Sequence, residues 1–199
     1  MKPDKKVRGR TKTFNSAKTL DVAIQEYWSR GPTQVSVNEI CGLARVSKPS
    51  LYREFDNEDG LMAAALERYA AEVLGHVHTL LNQGKGFDEV LESLIDYTLR
   101  SPSRTAPAGC LFARMRLDNA LLGPRTNLVI QNLREKSIAA FAEWLSGVVA
   151  SEGIALPASV QVSAAYIDDQ LTHLANRVSD GEKIEALRMH AKIALLSFK

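Results

Sequence analysis

Apolar residues recur every three or four positions through most of this chain, the spacing of one buried face of an α-helix. Short breaks rich in Gly, Pro and Ser separate these stretches, and no alternating run with a tight turn indicates a β-hairpin. The pattern therefore predicts an all-α protein. Beyond residue 56 the predicted helices cover residues 57–82, 87–100, 110–121, 125–151, 158–178 and 182–197.

A pair of short helices joined by a tight turn is predicted near the N-terminus. Ser36 is a suitable N-cap for the first helix, in which apolar residues recur at helical spacing from Val37 to Ala44. Ser47 is a suitable N-cap for the second helix, and Pro49 falls in its first turn, where a missing backbone N–H costs little. Two capped helices in this order are typical of a helix-turn-helix that reads DNA.

The second helix of this pair presents a polar and basic face opposite its apolar one. Because its donors suit base edges and phosphates, we expect contacts to double-stranded DNA from this face and from the residues beside it. The candidate DNA-binding residues are Ser36, Asn38, Ser47, Lys48, Pro49, Ser50, Tyr52 and Arg53. Capped amphipathic helix pairs also occur in proteins that do not bind DNA, so the charge distribution matters.

Basic residues are concentrated at the N-terminal end of the chain. Residues 1–55 carry eleven Lys or Arg against five acidic residues, a net charge of +6, whereas the whole chain carries +2. This difference favours a surface that attracts phosphates. The first twelve residues, MKPDKKVRGRTK, lack apolar periodicity and are predicted to be a disordered arm. We expect Arg8 and Arg10 to reach phosphates or a minor groove, the alternative being a solvated tail.

A further set of residues in the first 65 positions stands at a characteristic spacing. The set is Ala23, Gly31, Val37, Ile40, Ala44, Val46, Ser47, Leu51, Tyr52, Phe55, Asp59 and Leu61. This spacing resembles that of the tetracycline-repressor-like (TetR) family. The resemblance implies an opening helix from about Phe14 to Arg30, the helix-turn-helix, and a fourth helix from about Asn57 into an all-helical regulatory domain. It also implies dimerisation and repression relieved by a small ligand.

Two positions depart from the pattern of that family. Arg45 stands where Gly is frequent, and a left-handed backbone there costs on the order of 1 kcal/mol for a residue with a side chain. Glu54 replaces a residue that is frequently aromatic or His, so we expect no direct phosphate contact from this position.

The last two predicted helices carry apolar residues in a four-three alternation, which fits helix pairs that cross at a shallow angle. A helix-turn-helix protein needs a two-fold partner to read both halves of a palindromic operator, so we predict a homodimer through this face. The alternative is burial within one chain. The predicted interface residues are Val160, Ala164, Ile167, Leu171, Leu174, Val178, Ile184, Leu187, Ala191, Ala194 and Phe198.

A ligand cavity is predicted among the helices between residues 87 and 178. Its candidate residues mix apolar bulk with a few polar ends, as ligand pockets do, although each is also compatible with simple packing in the core. They are Tyr97, Arg100, Cys110, Phe112, Met115, Trp144, Tyr166 and His173. The expected ligand is small and largely apolar, and Arg100 is able to recruit a carboxylate.

Motifs for catalysis and metal binding are missing from the sequence. It has no Gly-rich phosphate loop, CxxC pair or nucleophile elbow, so we predict no catalytic residue, no cofactor and no enzyme activity. His76 and His78 are two residues apart and do not share a helix face, so we predict no metal site. We interpret Asp168 and Asp169 as part of a helix surface.

The cysteine count and the hydropathy indicate the compartment. Two cysteines, Cys41 and Cys110, give no disulfide framework and are expected to be reduced thiols that pack in the fold. No run approaches the roughly 20 apolar residues of a membrane span. We therefore expect a cytoplasmic protein with no membrane partner.

Taken together, these patterns predict three regions: a basic arm at residues 1–12, a three-helix DNA-binding domain at 13–56, and a helical ligand-binding and dimerisation domain at 57–199. The predicted function is a sequence-specific transcriptional regulator, a homodimeric repressor that a small molecule releases from its operator. The alternatives are a constitutive or architectural DNA-binding protein of the same fold without an inducer, and an all-helical enzyme.

Overall fold

The computed structural model describes residues 14–103 and 106–196, and this part of the chain contains helices and no strand. The predicted all-α fold class is confirmed. The helices are α1 (Ser16–Arg30), α2 (Val37–Ala44), α3 (Lys48–Phe55), α4 (Glu58–Leu81), α5 (Phe87–Thr98), α6 (Leu111–Leu117), α7 (Pro124–Glu152), α8 (Val160–Ser179) and α9 (Ile184–Leu196), with single 3-10 turns at Pro32–Gln34 and Asn119–Leu121.

The first four α-helices begin where the sequence places an Asn or Ser. In each case the side chain accepts a hydrogen bond from the backbone N–H three residues further on; these N-caps are Asn15, Ser36, Ser47 and Asn57. Helix α2 ends at Arg45, which adopts the left-handed conformation with φ 59° and ψ 44°. Its backbone N–H bonds to the carbonyl of Gly42, so the chain turns sharply into α3.

Two apolar cores lie along the molecule, and α4 runs through both. The first core joins α1, α2, α3 and the N-terminal half of α4 to α6 and the start of α7. Its fully buried side chains include Tyr27, Ile40, Leu51 and Leu66. Because α4 has 24 residues, it extends for about 36 Å and connects the two cores rigidly.

The second core joins the C-terminal end of α4 to α5, α7, α8 and α9. Phe87, Leu94, Leu145 and Ile167 are fully buried at its centre, and the Phe87 ring stacks on Trp144. Within the described residues, no helix has the length and apolar character needed to cross a lipid bilayer.

The face predicted to form a dimer interface lies inside the chain. Six of its side chains belong to the second core, three more are half-buried against that core, and Ala194 is half-buried beside them. The six are Ala164, Ile167, Leu174, Val178, Leu187 and Ala191, and the three are Val160, Leu171 and Ile184. Side chains covered by their own chain cannot contact a partner, so the prediction was wrong for the six buried residues, while a partner contact of the four half-buried residues stays a prediction. Phe198 falls outside the described residues.

Exposed apolar side chains lie at other positions of the same two helices. Val162 and Tyr166 lie one turn apart on α8, and Met189 and Ile193 lie one turn apart on α9. The hydroxyl of Tyr166 donates a hydrogen bond of 3.1 Å to the carbonyl of Ala194, so these two helix surfaces adjoin.

Candidate nucleic-acid interface and internal cavity

Helix α3 is seated by its apolar face and presents its polar face outward. Leu51 is fully buried and Phe55 nearly so, which anchors both turns of the helix on the first core. On the other face the Nζ atom of Lys48 lies 5.2 Å from the ring centroid of Tyr52, a cation–π distance. Lys48 and Arg53 are exposed, so two cations and a phenol are available at one end of the molecule.

Hydrogen bonds fix the N-terminus of α3. The hydroxyl of Ser47 donates to the hydroxyl of Ser50 at 2.8 Å, and the N–H of Ser50 donates back to Ser47 at 3.3 Å. Pro49 is exposed in this first turn. The exposed start of the helix is therefore ordered by its own side chains.

Ser36 and Glu39 form a capping box at the start of helix α2. Both the N–H and the hydroxyl of Ser36 donate to Glu39, at 2.9 and 2.8 Å, and Arg30 pairs with the same carboxylate at 3.0 Å. The pKa of Glu39 is lowered to about 2. The largest cause is the hydrogen bond from the Ser36 backbone N–H, followed by that from the Ser36 hydroxyl and then by Arg30. The structure thus gives Ser36 a capping role, whereas Asn38 is exposed on the same helix.

The eight predicted DNA-binding residues that the structure describes all lie on α2, on α3 or at their N-caps. Six are exposed, while Ser50 and Tyr52 are half-buried. Arg8 and Arg10 fall outside the described residues. Their contacts to DNA stay a prediction.

A cavity of about 80 Å³ lies between α4, α5, α6, α7 and α8, and most of its lining is apolar. Four of the eight predicted ligand residues line it: Tyr97, Arg100, Cys110 and Phe112. The structure also brings Tyr69 of α4 to the same wall, a residue that the sequence reasoning did not select.

The other four predicted ligand residues lie away from this cavity. Met115 is fully buried in the first core, and Trp144 belongs to the second core. Tyr166 and His173 are exposed on α8. None of these four residues lines the cavity, and their contact with a ligand stays a prediction.

Asp168 is buried, contrary to its interpretation as a surface residue, while Asp169 is exposed. The Oδ2 atom of Asp168 accepts a bond of 2.7 Å from Arg116 of α6, and Oδ1 accepts one of 2.7 Å from Ser137 of α7. The same Arg116 donates to Thr172 at 2.6 Å and to Asp169 at 3.0 Å. A satisfied buried ion pair therefore ties α6, α7 and α8 together at the cavity wall.

Tyr69 connects this cavity to helix α1. Its ring packs edge-on against Trp28 with centroids 4.9 Å apart, and its hydroxyl accepts a hydrogen bond of 3.3 Å from the N–H of Leu111. Burial raises the pKa of Tyr69 well above its usual range. In addition, Arg114 of α6 donates to the backbone carbonyl of Trp28 at 3.2 Å. Helix α6 thus lines the cavity and bonds to the helix that supports α2 and α3.

A second connection joins the start of α4 to the start of α7. The carboxylate of Asp59 accepts bonds from the N–H of Arg125 at 2.8 Å, from the N–H of Thr126 at 3.0 Å and from the Thr126 hydroxyl at 2.6 Å. Burial raises the pKa of Asp59, but these hydrogen bonds outweigh it and the net pKa is lowered. A side chain at Gly123 would collide with this carboxylate, so glycine permits the close approach.

The helix-turn-helix region matches a known family. The family model described as "Bacterial regulatory proteins, tetR family" matches residues 20–65, which run from α1 into α4. The HTH-type transcriptional repressor ComR of Escherichia coli (strain K12) is 32% identical over 108 residues, or 53% of this chain and 51% of that protein. The match therefore spans about half of the relative's length.

Solved structures share the whole architecture. A cysteine mutant of the TetR family transcriptional regulator CifR, complexed with 26-base-pair double-strand operator DNA, has a TM-score of 0.79 at 25% identity, covering 96% of this chain and 100% of that one. Reduced E. coli NemR has a TM-score of 0.76 at 18% identity, covering 90% and 96%. A regulator from Saccharomonospora viridis in complex with choline has a TM-score of 0.72 at 14% identity, covering 89% and 93%.

Proposed function

We propose that this chain is a member of the tetR family of bacterial regulatory proteins and acts as a homodimeric repressor that a small ligand releases from a palindromic operator. One observation carries the proposal: the helices that support the exposed α2–α3 pair are bonded to the helices that line the cavity. A ligand that displaces α6 or α4 changes the support of the DNA-reading helix, and this link is what regulation by a ligand requires.

Reading of DNA is assigned to the exposed face of α3. Lys48, Tyr52 and Arg53 supply cationic and hydroxyl donors, and Asn38 of α2 lies exposed beside them. Operator DNA is also the partner in the CifR complex, which supports the same role here. We expect Lys48 to reach a base edge or phosphate near the middle of each half-site.

Dimerisation is assigned to the exposed apolar residues of α8 and α9 in place of the buried face predicted from the sequence. Val162, Met189 and Ile193 are each more than half exposed, an unfavourable arrangement for a surface that stays in water. A second copy that covers this face would place two reading helices across a two-fold axis, with half-sites about 34–36 Å apart.

The proposal is tested by footprinting and anisotropy titrations on the DNA upstream of the gene. We expect protection of one palindromic site by two chains. The variant Lys48→Ala is expected to lose about 1–3 kcal/mol of specific binding, whereas Lys136→Ala, which removes an exposed lysine from α7, retains wild-type affinity. Equal losses in both variants, or the same affinity for random DNA, would favour the alternative of an architectural DNA-binding protein.

The dimer is tested by sedimentation velocity. Introducing charge with Met189→Glu is expected to raise the dissociation constant of the dimer, because the charge would be buried at the interface. Leu128→Glu is the matched control, since Leu128 is similarly exposed but belongs to α7 and not to the proposed interface on α8 and α9. If both variants remain stable dimers, the dimer interface does not lie on the exposed apolar residues of α8 and α9.

A second candidate signal is chemical modification of Cys110. The thiol is half-buried, lines the cavity and adjoins the hydroxyl of Tyr69. NemR has been solved in a reduced form and CifR as a cysteine mutant, which supports a role for thiols in this fold. If modification is the signal, a thiol alkylating agent will weaken operator binding by the wild type and leave Cys110→Ser unaffected; Cys41→Ser is the control.

A further inference from the structure

Arg100 places a positive charge at the cavity, and the carboxylate of Glu72 acts electrostatically on the neighbouring Tyr97. Its Cζ atom lies 4.3 Å from the ring centroid of Tyr97, and its Nη1 atom donates 2.9 Å to the Tyr97 carbonyl. The Tyr97 ring stacks in turn on His76, with centroids 4.2 Å apart. The guanidinium is therefore held on an aromatic platform. Among the described residues, no carboxylate lies within ion-pair distance of it.

The acidic side chain of the cavity is already neutralised. Both oxygens of Asp168 accept hydrogen bonds, one from Arg116 and one from Ser137, each at 2.7 Å. A cationic ligand would have to compete with Arg116 for this carboxylate and would also meet the charge of Arg100. The charge balance of the cavity therefore disfavours a cation and favours an anion.

The rest of the cavity lining restricts the size and polarity of the uncharged part of the ligand. The space of about 80 Å³ is small, and its apolar lining includes Val73, Leu94, Phe112, Phe141 and Leu171. Burial raises the pKa of the Tyr97 hydroxyl, although Arg100 acts against it, so this phenol keeps its proton and remains a hydrogen-bond donor. The lining suits one charged group at Arg100 and a compact hydrocarbon beyond it.

We propose that the effector of this protein is a small organic monocarboxylate with an apolar aliphatic or aromatic body, whose carboxylate pairs with the guanidinium of Arg100. This inference rests on the proposed function, namely that the cavity receives a ligand. Arginine has five N–H donors in a fixed fork, of which one bonds to Tyr97, so donors remain for bidentate binding of a carboxylate.

The experiment compares three probes of similar shape: phenylacetate, phenylacetamide and phenethylammonium. Their dissociation constants for the full chain are measured by ligand-observed NMR titration. Phenylacetate is expected to bind on the order of five- to tenfold more tightly than the amide, a modest factor because Arg100 is only half-buried, and the ammonium probe is expected to bind most weakly.

Substitutions at position 100 test whether Arg100 causes the preference for phenylacetate over the amide. Arg100→Gln is expected to bind phenylacetate no better than the amide. Arg100→Lys keeps the positive charge but lacks the planar guanidinium. Its preference for the acid over the amide is expected to lie between those of the wild type and Arg100→Gln. Lys136→Gln, which removes an exposed cation from α7, is expected to keep the full preference. Circular dichroism and thermal melting establish that each variant is folded.

The outcomes separate this inference from the function on which it rests. Equal binding of acid and amide, tighter binding of the ammonium probe, or an acid preference that survives in Arg100→Gln overturns the carboxylate assignment and leaves the ligand cavity standing. Failure of all three probes to bind also overturns the carboxylate assignment, while operator footprinting tests the repressor function independently. If Arg100→Gln does not fold, the wild-type probe series and Arg100→Lys still decide the question.

Discussion

Replacing Asp59 by Ala is expected to loosen the junction between the DNA-reading region and α7. The carboxylate accepts two backbone N–H bonds at the α7 N-terminus and the hydroxyl of Thr126, a residue that is fully buried. Loss of an N-cap costs about 0.5–2 kcal/mol. The Thr126 hydroxyl keeps the Asp59 backbone carbonyl as an acceptor at 3.2 Å, so the loss of its shorter bond to the carboxylate adds only about 0.5–1.5 kcal/mol. We therefore expect the free energy of unfolding to fall by about 1–3.5 kcal/mol.

Urea denaturation and calorimetry measure this loss. For a chain of this size, about 1–3.5 kcal/mol corresponds to a decrease in Tm of roughly 2–14 °C. Asp56→Ala is the matched control, because Asp56 lies in the same turn and pairs with Arg125 at 2.9 Å on an exposed surface, where an ion pair contributes about 0–1 kcal/mol. Equal losses in the two variants would refute the argument.

The pH dependence provides an independent check on Asp59. Its pKa in the folded state is lowered, so its ionised form stabilises the fold fully above the unfolded value near 3.9, and this contribution is lost as the pH falls through the folded pKa. The difference in unfolding free energy between wild type and Asp59→Asn is therefore expected to be constant near pH 6 and to shrink below pH 4. A difference that does not change with pH would contradict the assigned hydrogen bonds.

Three further predictions follow from other parts of the chain. Arg45→Gly is expected to raise the free energy of unfolding by about 0.5–1 kcal/mol by relieving the left-handed backbone, whereas Arg45→Ala keeps the Cβ atom and shows no such gain in calorimetry. Asp168→Ala removes the buried carboxylate that pairs with Arg116, which keeps only the exposed Asp169 as an anionic partner, and is expected to cost about 1.5–3 kcal/mol in urea denaturation, against less than about 1 kcal/mol for Asp169→Ala. Deleting residues 2–12 is expected to flatten the log–log salt dependence of operator binding by about 0.9 per lost phosphate contact in anisotropy titrations, and an unchanged slope would make the arm a passive tail.

Local chemistry explains why the helix pair was predictable. The caps Ser36 and Ser47, the apolar spacing through α2 and α3, and the left-handed position of Arg45 depend on residues within one or two turns of the chain. A single sequence contains all of that information. The bounds of α2 to α5 accordingly differ from those predicted by two residues or fewer.

Contacts between distant segments explain what the sequence did not reveal. Arg116 and Asp168 are 52 residues apart, and nothing local indicates that α6 packs against α8 at that point. Likewise, the four-three alternation of α8 and α9 establishes that one face is buried, but the same pattern fits a partner helix of the same chain or of another. In the structure α5 and α7 cover that face, and the exposed residues Val162 and Ile193 lie on another.

The size of the cavity suggests how a ligand would act on DNA binding. About 80 Å³ of space is less than a typical ligand pocket of several hundred Å³, so we expect a ligand with a ring-sized body to push against the lining helices. Two of them are attached to α1, through the ring contact of Tyr69 with Trp28 and the bond from Arg114 to the Trp28 carbonyl. An allosteric coupling of 1–3 kcal/mol is comparable to the loss of one or two such contacts. Displacement of α6 alone would therefore weaken operator binding by roughly 5–150-fold, and Arg114→Ala is expected to reduce that response.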